Sequence, residues 1–269
     1  MTHRIIGPAV VAVLIVGSSF AQKLEVNLAS ESLIESRLAS GQVRGRQRQA
    51  VIRGLFADAG CSAEEQPVGR HSGNVVCTLA GDTGSTIAAG GHFDFVDAGQ
   101  GIVDDWSGAS LLPSLYEALK THPRRHTYVF IAFTDEEQGL VGSARYIKKL
   151  TADQKARIHA FVNLECLGLN PVKYWANRST PALVQDLADV AAGLGDSLQA
   201  VNVDKVGDDD THSFLNAKIP VISIHSITPD TFGILHSARD KMAAIDFKNY
   251  YEAYKLAANY LAYLDAKVE

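Results

Sequence analysis

Short apolar runs alternate with longer amphipathic segments along most of the chain. Runs typical of buried strands occupy residues 74–79, 86–91, 128–133, 158–164, 172–175, 198–203 and 219–224. Apolar positions at helical spacing predict helices over residues 107–121, 143–149, 181–194 and 247–267. This alternation is typical of a mostly parallel sheet with helices on both faces.

The segment before the first strand, residues 28–60, is also helical in pattern. Ser30 or Ser32 can cap its amino end, and a break near Gly41 divides it into two helices. The chain has 269 residues, 46% hydrophobic and 20% charged, and neither a linker nor a repeat divides it. We therefore expect an α/β fold, a single-domain three-layer α/β/α sandwich around a mixed, mostly parallel sheet, formed by residues 22–269.

The first residues have the pattern of a secretory signal peptide. Arg4 precedes an apolar run over residues 5–17, and Ser19 and Ala21 are small residues at the positions that signal peptidase recognises. The run is shorter than the ~20 residues that span a bilayer and contains a Gly-Pro pair, which argues against an uncleaved membrane anchor. We predict that residues 1–21 are removed and that the mature protein is secreted or periplasmic, without a stable membrane anchor.

The mature chain is negatively charged. The 25 basic residues less Arg4 leave 24 against 30 acidic ones, a formal charge of −6. Nucleic acid is therefore not expected as a partner. The basic cluster Arg44, Arg46 and Arg48 has no aromatic residues interleaved, and we interpret it as a solvated surface without a function.

The three cysteines leave two interpretations open. An exported protein meets oxidising conditions, and Cys61 and Cys77 lie on either side of a polar loop, where a disulfide between them can form. Cys166 would then be a buried free thiol. The alternative is that all three are small core residues, since free cysteine is among the most buried residue types.

Acidic and imidazole side chains recur where predicted strands end. Glu136 and Glu137 closely follow the apolar run 128–133, and the carboxyl ends of strands form the ligand crevice of an open α/β sheet. One carboxylate of such a pair can bind a metal while the other transfers a proton. The other candidates are His92, Asp94, Asp104, Asp105, Glu165, His236 and Asp240. Two imidazoles among several carboxylates favour a hydrolytic zinc site over a structural, cysteine-rich one.

Six motifs carry a resemblance to a known family. In chain order they are GGHFDF, DDWSGAS, FTDEEQGLVGSARY, NLECLG, DDDTHSF and LHSARD. Their content and order closely resemble the co-catalytic dizinc aminopeptidases, a metallopeptidase family that also contains glutamate carboxypeptidases and glutaminyl cyclases. The likeness extends from about residue 46 to the last helix.

The resemblance implies a site for two zinc ions. His92 and Glu165 would bind one ion, Glu137 and His236 would bind the other, and Asp104 would bridge both. Each of these residues stands in one of the six motifs.

The resemblance also implies which groups act around the metal. Glu136 would be the general base that takes a proton from the attacking water and passes it to the leaving amine. A metal-bound carboxylate has its basicity lowered, which is why a second, unligated glutamate is needed beside Glu137. Asp94 and Asp240 would fix the tautomers of the two ligand histidines.

Two positions depart from the family pattern. Glu165 stands where Asp is usual and reaches one methylene further, so a single-zinc enzyme is an alternative to the two-zinc one. Thr211 stands where many members have His and receives no role, whereas Asp210 before it is interpreted as a residue that shapes the site. Among the other histidines, His225 is a candidate for lining the substrate pocket, and His126 is expected at the surface.

Three functions compete at this point. The first is a secreted zinc aminopeptidase that acts on peptides with a free N-terminus. The second is a glutaminyl cyclase that uses one zinc; Glu165 would suit it, but cyclases of the family tend to have Trp where this chain has Leu235. The third is a binding protein that has lost the chemistry, against which every ligand position and Glu136 hold competent residues.

Overall fold

The computed structural model describes residues 26–43, 45, 47–205 and 207–267. The helices in these ranges are α1 Glu31–Ala39, α2 Gln47–Asp58, α3 Ser107–Ala109, α4 Leu112–Leu119, α5 Val141–Lys149, α6 Ala152–Ala156, α7 Pro181–Leu194, α8 Thr211–Asn216 and α9 Phe247–Lys267. The strands are β1 Glu64–Pro67, β2 Gly73–Leu79, β3 Thr86–His92, β4 Thr127–Phe133, β5 Ile158–Glu165, β6 Lys173–Tyr174, β7 Gln199–Ala200 and β8 Val221–His225. Helices separate β3 from β4, β4 from β5 and β6 from β7, as the hydrophobic pattern predicts, and α8, which it does not predict, separates β7 from β8.

The eight strands form one mixed sheet in the order β1-β2-β4-β3-β5-β8-β6-β7. The central strands β4, β3, β5 and β8 are parallel to one another, and β6 is parallel to β7. The pairs β1–β2, β2–β4 and β6–β8 are antiparallel. The predicted three-layer α/β/α sandwich with a mixed, mostly parallel sheet is confirmed.

Alternate side chains of the central strands enter different core layers. Along β4, Phe130 and Ala132 belong to the larger apolar cluster, whereas Ile131 and Phe133 belong to the smaller cluster on the opposite face. The larger cluster includes residues of α1, α2, α4, α7 and α9, and the smaller one includes residues of α5 and α8. The sheet is buried on both faces, which explains why its central strands are continuous apolar runs.

Several elements differ from the expected ones: α6 and α8 were not predicted, and the predicted strand over 172–175 is shortened to β6. The predicted helix over residues 107–121 is divided into α3 and α4, and the predicted strand over 198–203 is reduced to β7. The sequence did not predict β1, because its residues EEQP are mostly exposed and end in proline, as is typical of an edge strand.

Arg48 is completely buried, so the predicted solvated basic cluster is wrong at this position. Its guanidinium donates to backbone carbonyl oxygens from separate segments, those of Gly41, Phe93 and Gln100. Arg44 and Arg46 lie outside the described residues. The Arg48 side chain is therefore an interior contact, and its hydrogen bonds connect the loop after β3 with the segment between α1 and α2.

His126 is also buried, although the sequence places it at the surface. Its Nδ1 lies 3.0 Å from Oδ1 of Asp265, and its backbone N–H donates to the same oxygen at 2.7 Å. These contacts attach the end of α9 to the start of β4.

Cys61 and Cys77 form a disulfide, and Cys166 is a buried free thiol. The first of the two interpretations of the cysteines is therefore the one that the structure supports. The predicted signal peptide over residues 1–21 lies outside the described residues. Within the described ranges, every helix is too short or too polar to cross a membrane.

Candidate active site

The parallel strands bring acidic and imidazole side chains to one edge of the sheet. His92 is the last residue of β3, Glu165 is the last residue of β5, and Glu136 and Glu137 follow shortly after β4. Because parallel strands share a direction, their carboxyl ends meet at the same edge. These four side chains and His236 line one crevice there.

Asp105 organises the backbone beneath this crevice. Its buried carboxylate accepts backbone N–H groups of His92, Gly108 and Cys166 at 3.1, 3.0 and 2.9 Å. It thus ties the end of β3 to α3 and to the residue after β5. A side chain at Gly108 would overlap the carbonyl oxygen of Leu164, so this close approach requires glycine.

Asp104 lies between the two histidines. Its Oδ1 is 3.2 Å from Nε2 of His92, and its Oδ2 is 3.1 Å from Nε2 of His236. Oε1 of Glu165 lies 3.5 Å from Nε2 of His92, and Oε2 of Glu137 lies 3.0 Å from Nε2 of His236. The cluster therefore has two lobes, a His92 lobe and a His236 lobe, which share the carboxylate of Asp104.

Asp94 contacts both His92 and the glutamate pair. Its carboxylate lies 3.5 Å from Nδ1 of His92, and its backbone carbonyl oxygen is closer to that nitrogen, at 3.2 Å. The same carboxylate accepts the backbone N–H groups of Glu136 and Glu137 at 3.1 and 3.2 Å. Asp94 thus lies at His92, where the resemblance places it, and also holds the backbone of the two glutamates, which the sequence did not reveal.

Asp240 anchors the loop that carries His236, but by a different contact from the predicted one. Its carboxylate accepts the backbone N–H groups of Val103 and Asp104 at 2.7 and 3.3 Å. The backbone N–H of Gln100 donates to the Asp240 carbonyl oxygen at 2.7 Å. Asp240 therefore positions the backbone of Asp104 rather than the ring of His236. The His236 side chain is 49% exposed, so the cluster opens to solvent on that side.

The motif DDDTHSF supports the site through Asp209. One oxygen of its buried carboxylate accepts the backbone N–H and the hydroxyl of Thr211, and the other accepts the hydroxyl of Ser223 and the amide of Asn163. The Asn163 amide also donates to Oε2 of Glu165 at 3.0 Å. Asp209 therefore acts on the Glu165 carboxylate through Asn163. The neighbouring Asp210, interpreted from sequence as shaping the site, is fully buried, and burial raises its pKa to about 8.

Burial and mutual repulsion perturb the titratable groups of the cluster. Burial and neighbouring carboxylates raise the pKa of Glu136 to about 10, and burial and the charge of Asp104 raise the pKa of Glu137 to about 7. Burial opposes ionisation of Asp104, but hydrogen bonds with His236 and His92 hold its pKa below the ordinary value. The hydrogen bond with Asp104 raises the pKa of His236 to about 9. The cluster is therefore short of positive charge.

The donor set fits a divalent cation. Four carboxylates, those of Asp104, Glu136, Glu137 and Glu165, face only two imidazoles, and uncompensated buried charge is costly. Oε1 of Glu137 is buried and has no hydrogen-bond partner in the described part of the chain. Ligand atoms of His92, Asp104 and Glu137 lie within 4.8 Å of one another. Imidazole and carboxylate ligands of this kind suit zinc.

A cavity of about 230 Å³ opens beside the cluster. Part of its lining is an apolar wall of residues that belong to one cluster, Cys166, Trp175, Val203, Ile227 and Leu235. Polar groups beside an apolar wall are typical of a ligand pocket. His225, the candidate lining residue, is instead packed in the interior: its Nε2 lies 2.9 Å from the Val201 carbonyl oxygen, and its Nδ1 accepts the backbone N–H of Ile227.

An imidazole–carboxylate cluster at the carboxyl edge of an α/β sheet, beside a partly apolar cavity, defines a candidate metallohydrolase. The family model of Peptidase family M28 matches residues 74–261. The chain therefore belongs to peptidase family M28, and the resemblance carried by the six motifs is confirmed.

Two curated relatives show the range of the sequence similarity. Leupeptin-inactivating enzyme 1 of Streptomyces exfoliatus is 32% identical over 149 residues, which are 54% of this chain and 34% of that protein. Probable leucine aminopeptidase 2 of Aspergillus fumigatus is 35% identical over 133 residues, 48% of this chain and 25% of that protein. The matched part of the chain spans about a third or less of the length of these relatives.

Solved structures of two kinds of enzyme share the fold. The LapA aminopeptidase of Legionella pneumophila matches with a TM-score of 0.79 at 18% identity, over 89% of this chain and 73% of that one. The glutaminyl cyclase of an Acidobacteriales bacterium matches with a TM-score of 0.71 at 19% identity, over 88% of this chain and 94% of that one. A zinc aminopeptidase from Bacillus subtilis matches with a TM-score of 0.64 at 22% identity, over 71% and 49%.

Proposed function

We propose that the protein is a secreted, zinc-dependent aminopeptidase that removes N-terminal residues from peptides. The observation that carries the proposal is the division of the glutamate pair. Oε2 of Glu137 contacts His236 at 3.0 Å, whereas Oε2 of Glu136 lies 3.7 Å from His92, outside hydrogen-bond distance, and lines the cavity. One glutamate is thus placed as a ligand, and its neighbour is left free to transfer a proton.

In this proposal each lobe holds one zinc ion. His92 and Glu165 would hold the first ion, Glu137 and His236 would hold the second, and Asp104 would serve both, because its two oxygens face different histidines. Bound zinc would polarise the scissile carbonyl and lower the pKa of water. Two ions are expected rather than one, since the longer side chain of Glu165 still reaches the His92 lobe.

Glu136 serves as the general base. The positive charge of bound zinc would lower the pKa of Glu136 from the value near 10 of the metal-free cluster, so that its carboxylate can take a proton from the water that attacks the scissile carbonyl and deliver it to the leaving amine. Its backbone N–H donates to Asp94, which keeps its position fixed relative to Glu137. Such fixed placement of a proton-transfer group is a large part of what an active site contributes to rate.

The proposed substrate is a peptide with a free N-terminus. In the proposed exopeptidase, the cavity of about 230 Å³ beside the lobes would receive the first residue of the peptide. The acid-rich lobes attract a protonated α-amine, and the apolar wall with Trp175 and Leu235 favours an apolar first side chain, such as that of leucine.

A matched pair of variants tests the roles of the two glutamates. We expect Glu136→Gln to keep its zinc but to lose at least ~10²-fold in kcat on aminoacyl chromogenic substrates. We expect Glu137→Gln to lose zinc from the His236 lobe as well as activity. Near-normal turnover of Glu136→Gln with normal zinc content would show that the general base is a different group.

A glutaminyl cyclase is the second candidate. The observation that favours it is the share of each solved structure that this fold covers, which is 94% of the Acidobacteriales cyclase but 73% of LapA. Incubation with a peptide that begins with glutamine separates the two functions, since a cyclase releases ammonia and an aminopeptidase releases a free amino acid. Zinc binding without either product would instead indicate a binding homologue.

Export belongs to the same proposal. We expect the mature chain to begin after residue 21, to be found outside the cytoplasm, and to require neither nucleic acid nor a membrane anchor. Amino-terminal sequencing of protein recovered from the medium or periplasm tests this expectation, and an intact residue 1 on protein recovered there would contradict it.

A further inference from the structure

We propose that the thiol of Cys166 is an additional metal ligand, which makes the His92 lobe a sulfur-containing site unlike the His236 lobe. This inference rests on the proposed function insofar as it requires metal at the cluster. Cys166 follows Glu165, the last residue of β5, in the motif NLECLG, and both side chains line the cavity.

The first support is distance. Sγ of Cys166 lies 3.5 Å from Oε1 of Glu165, the oxygen that faces His92. Ligand atoms of Asp104, Glu165 and Cys166 all lie within 4.8 Å of one another. The 3.5 Å between Sγ and Oε1 is a separation that two ligands of one cation can have, because Zn–S bonds are about 2.3 Å long and Zn–O bonds about 2.0–2.2 Å.

The second support is the backbone of Cys166, which has a φ of 48°. Left-handed conformation is unusual for a residue with a side chain and persists only where the surroundings impose it. Here the backbone N–H donates to Asp105 at 2.9 Å, and the carbonyl oxygen accepts the Ser226 hydroxyl at 2.6 Å. These hydrogen bonds fix the backbone on both sides of the Cys166 Cα. Cys166 lines the same cavity as His92 and Asp104.

The third support is chemical. Asp104 and Glu165 lie close both to Cys166 and to His92, so the lobe offers four candidate donors, the number that a tetrahedral zinc site requires. In the His236 lobe, His236, Glu137 and the shared Asp104 are the candidate donors among the described residues, and none of them is a sulfur ligand. A soft sulfur ligand selects thiophilic cations over magnesium or manganese, and it would give the two lobes different metal preferences.

X-ray absorption spectroscopy of the zinc-loaded wild-type protein tests the inference without any substitution. We expect a sulfur shell at about 2.3 Å beside nitrogen and oxygen at about 2.0–2.1 Å. The other two cysteines form the disulfide, so a thiolate shell can come only from Cys166. Bound zinc with a nitrogen and oxygen shell alone would overturn the inference and leave the proposed function intact. Failure to bind zinc at all would overturn both.

Cobalt substitution provides a second readout. We expect a thiolate-to-cobalt charge-transfer band in the near ultraviolet for the wild type, and its loss in Cys166→Ser with the visible cobalt bands retained. We also expect Cys166→Ser to lose affinity for cadmium by roughly tenfold or more, and to change little toward manganese. If Cys166→Ser does not fold, the spectrum of the cobalt-loaded wild type is the test. Absence of the near-ultraviolet band from that spectrum would contradict the inference.

Discussion

The carboxylate of Asp94 accepts a hydrogen bond from the backbone N–H of Glu136, at 3.1 Å. Its second oxygen accepts the backbone N–H of Glu137 at 3.2 Å. One side chain from the loop after β3 therefore sets the backbone of both glutamates, whose own carboxylates then diverge toward different lobes. The relative position of the proposed base and the proposed ligand depends on this single carboxylate.

Asp94→Asn tests that dependence. An amide offers one acceptor oxygen, so one of the two backbone N–H groups loses its partner. We expect kcat to fall about 10–100-fold, as is typical when a group that orients ligands is lost. The measurement is kcat and zinc content together, with Asp97→Asn, an exposed residue of the same loop, as the control. Equal effects of the two substitutions would mean that the hydrogen bonds to the glutamate pair are not the cause.

Glu165→Gln tests the assignment of the His92 lobe. The substitution keeps the size of the side chain and removes the charge that faces His92. We expect the zinc content after dialysis to fall from two ions per chain to one, with metal affinity at the first lobe reduced at least ~100-fold. Mass spectrometry of the metal content checks this, and Glu65→Gln, in an exposed ion pair with Arg53, is the control. Two tightly bound ions in Glu165→Gln would remove Glu165 from the ligand set.

Arg48→Lys tests the buried guanidinium. Lysine has a single ammonium group and cannot donate to the three backbone carbonyls that Arg48 reaches from α2. We expect the free energy of unfolding of the metal-free protein to fall by about 3 kcal/mol. Arg53→Lys on the same helix is the control, because its ion pair with Glu65 is exposed and should contribute less than ~1 kcal/mol. Urea unfolding measures the free energy of unfolding of both variants, and an equal decrease in the two would contradict the prediction.

Because His225 is buried, we expect the free energy of unfolding to depend on pH. Burial lowers the pKa of His225 from 6.5 to about 4, so the folded protein holds it neutral while the unfolded chain binds a proton. Its contribution is complete above pH 6.5 and is lost as the pH falls toward 4, by about 3 kcal/mol in all. His225→Gln should therefore flatten the fall in unfolding free energy across that window, measured in chelator, whereas the exposed control His71→Gln should not. A slope unchanged in His225→Gln would assign the acid sensitivity to other groups.

The strand ends were predictable because their signal is local. A strand buried on both faces is a continuous apolar run, and the first polar residues after it mark the functional edge of the sheet. His92 and Glu165 therefore fall where the sequence places them, and so do Glu136 and Glu137. The six motifs add the pairing of these residues with His236, which no local pattern could supply.

The supporting contacts were less predictable because their partners are distant in sequence. Arg48 is satisfied by carbonyl groups from separate loops, and Asp240 holds the backbone near Asp104, 136 residues away. A charged residue has the same sequence pattern whether water or a remote peptide group satisfies it. Asp105 and Asp209 stand in two of the six motifs, but the groups that they bind lie elsewhere in the chain, so their supporting contacts had no local signal.

The position of β8 has a consequence for how the molecule is made. β6 and β7 precede β8 in the chain, yet β8 lies between them and β5, so among the described strands β8 alone joins this pair to the rest of the sheet. During synthesis, β3, β4 and β5 can associate while β6 and β7 still await a partner. Trp175 and Val203, which lie beside these two strands, take their places only after residues 221–225 have emerged. The acids carried by β3, β4 and β5 can thus come together before the wall that would choose the substrate, although His236 joins them only after β8.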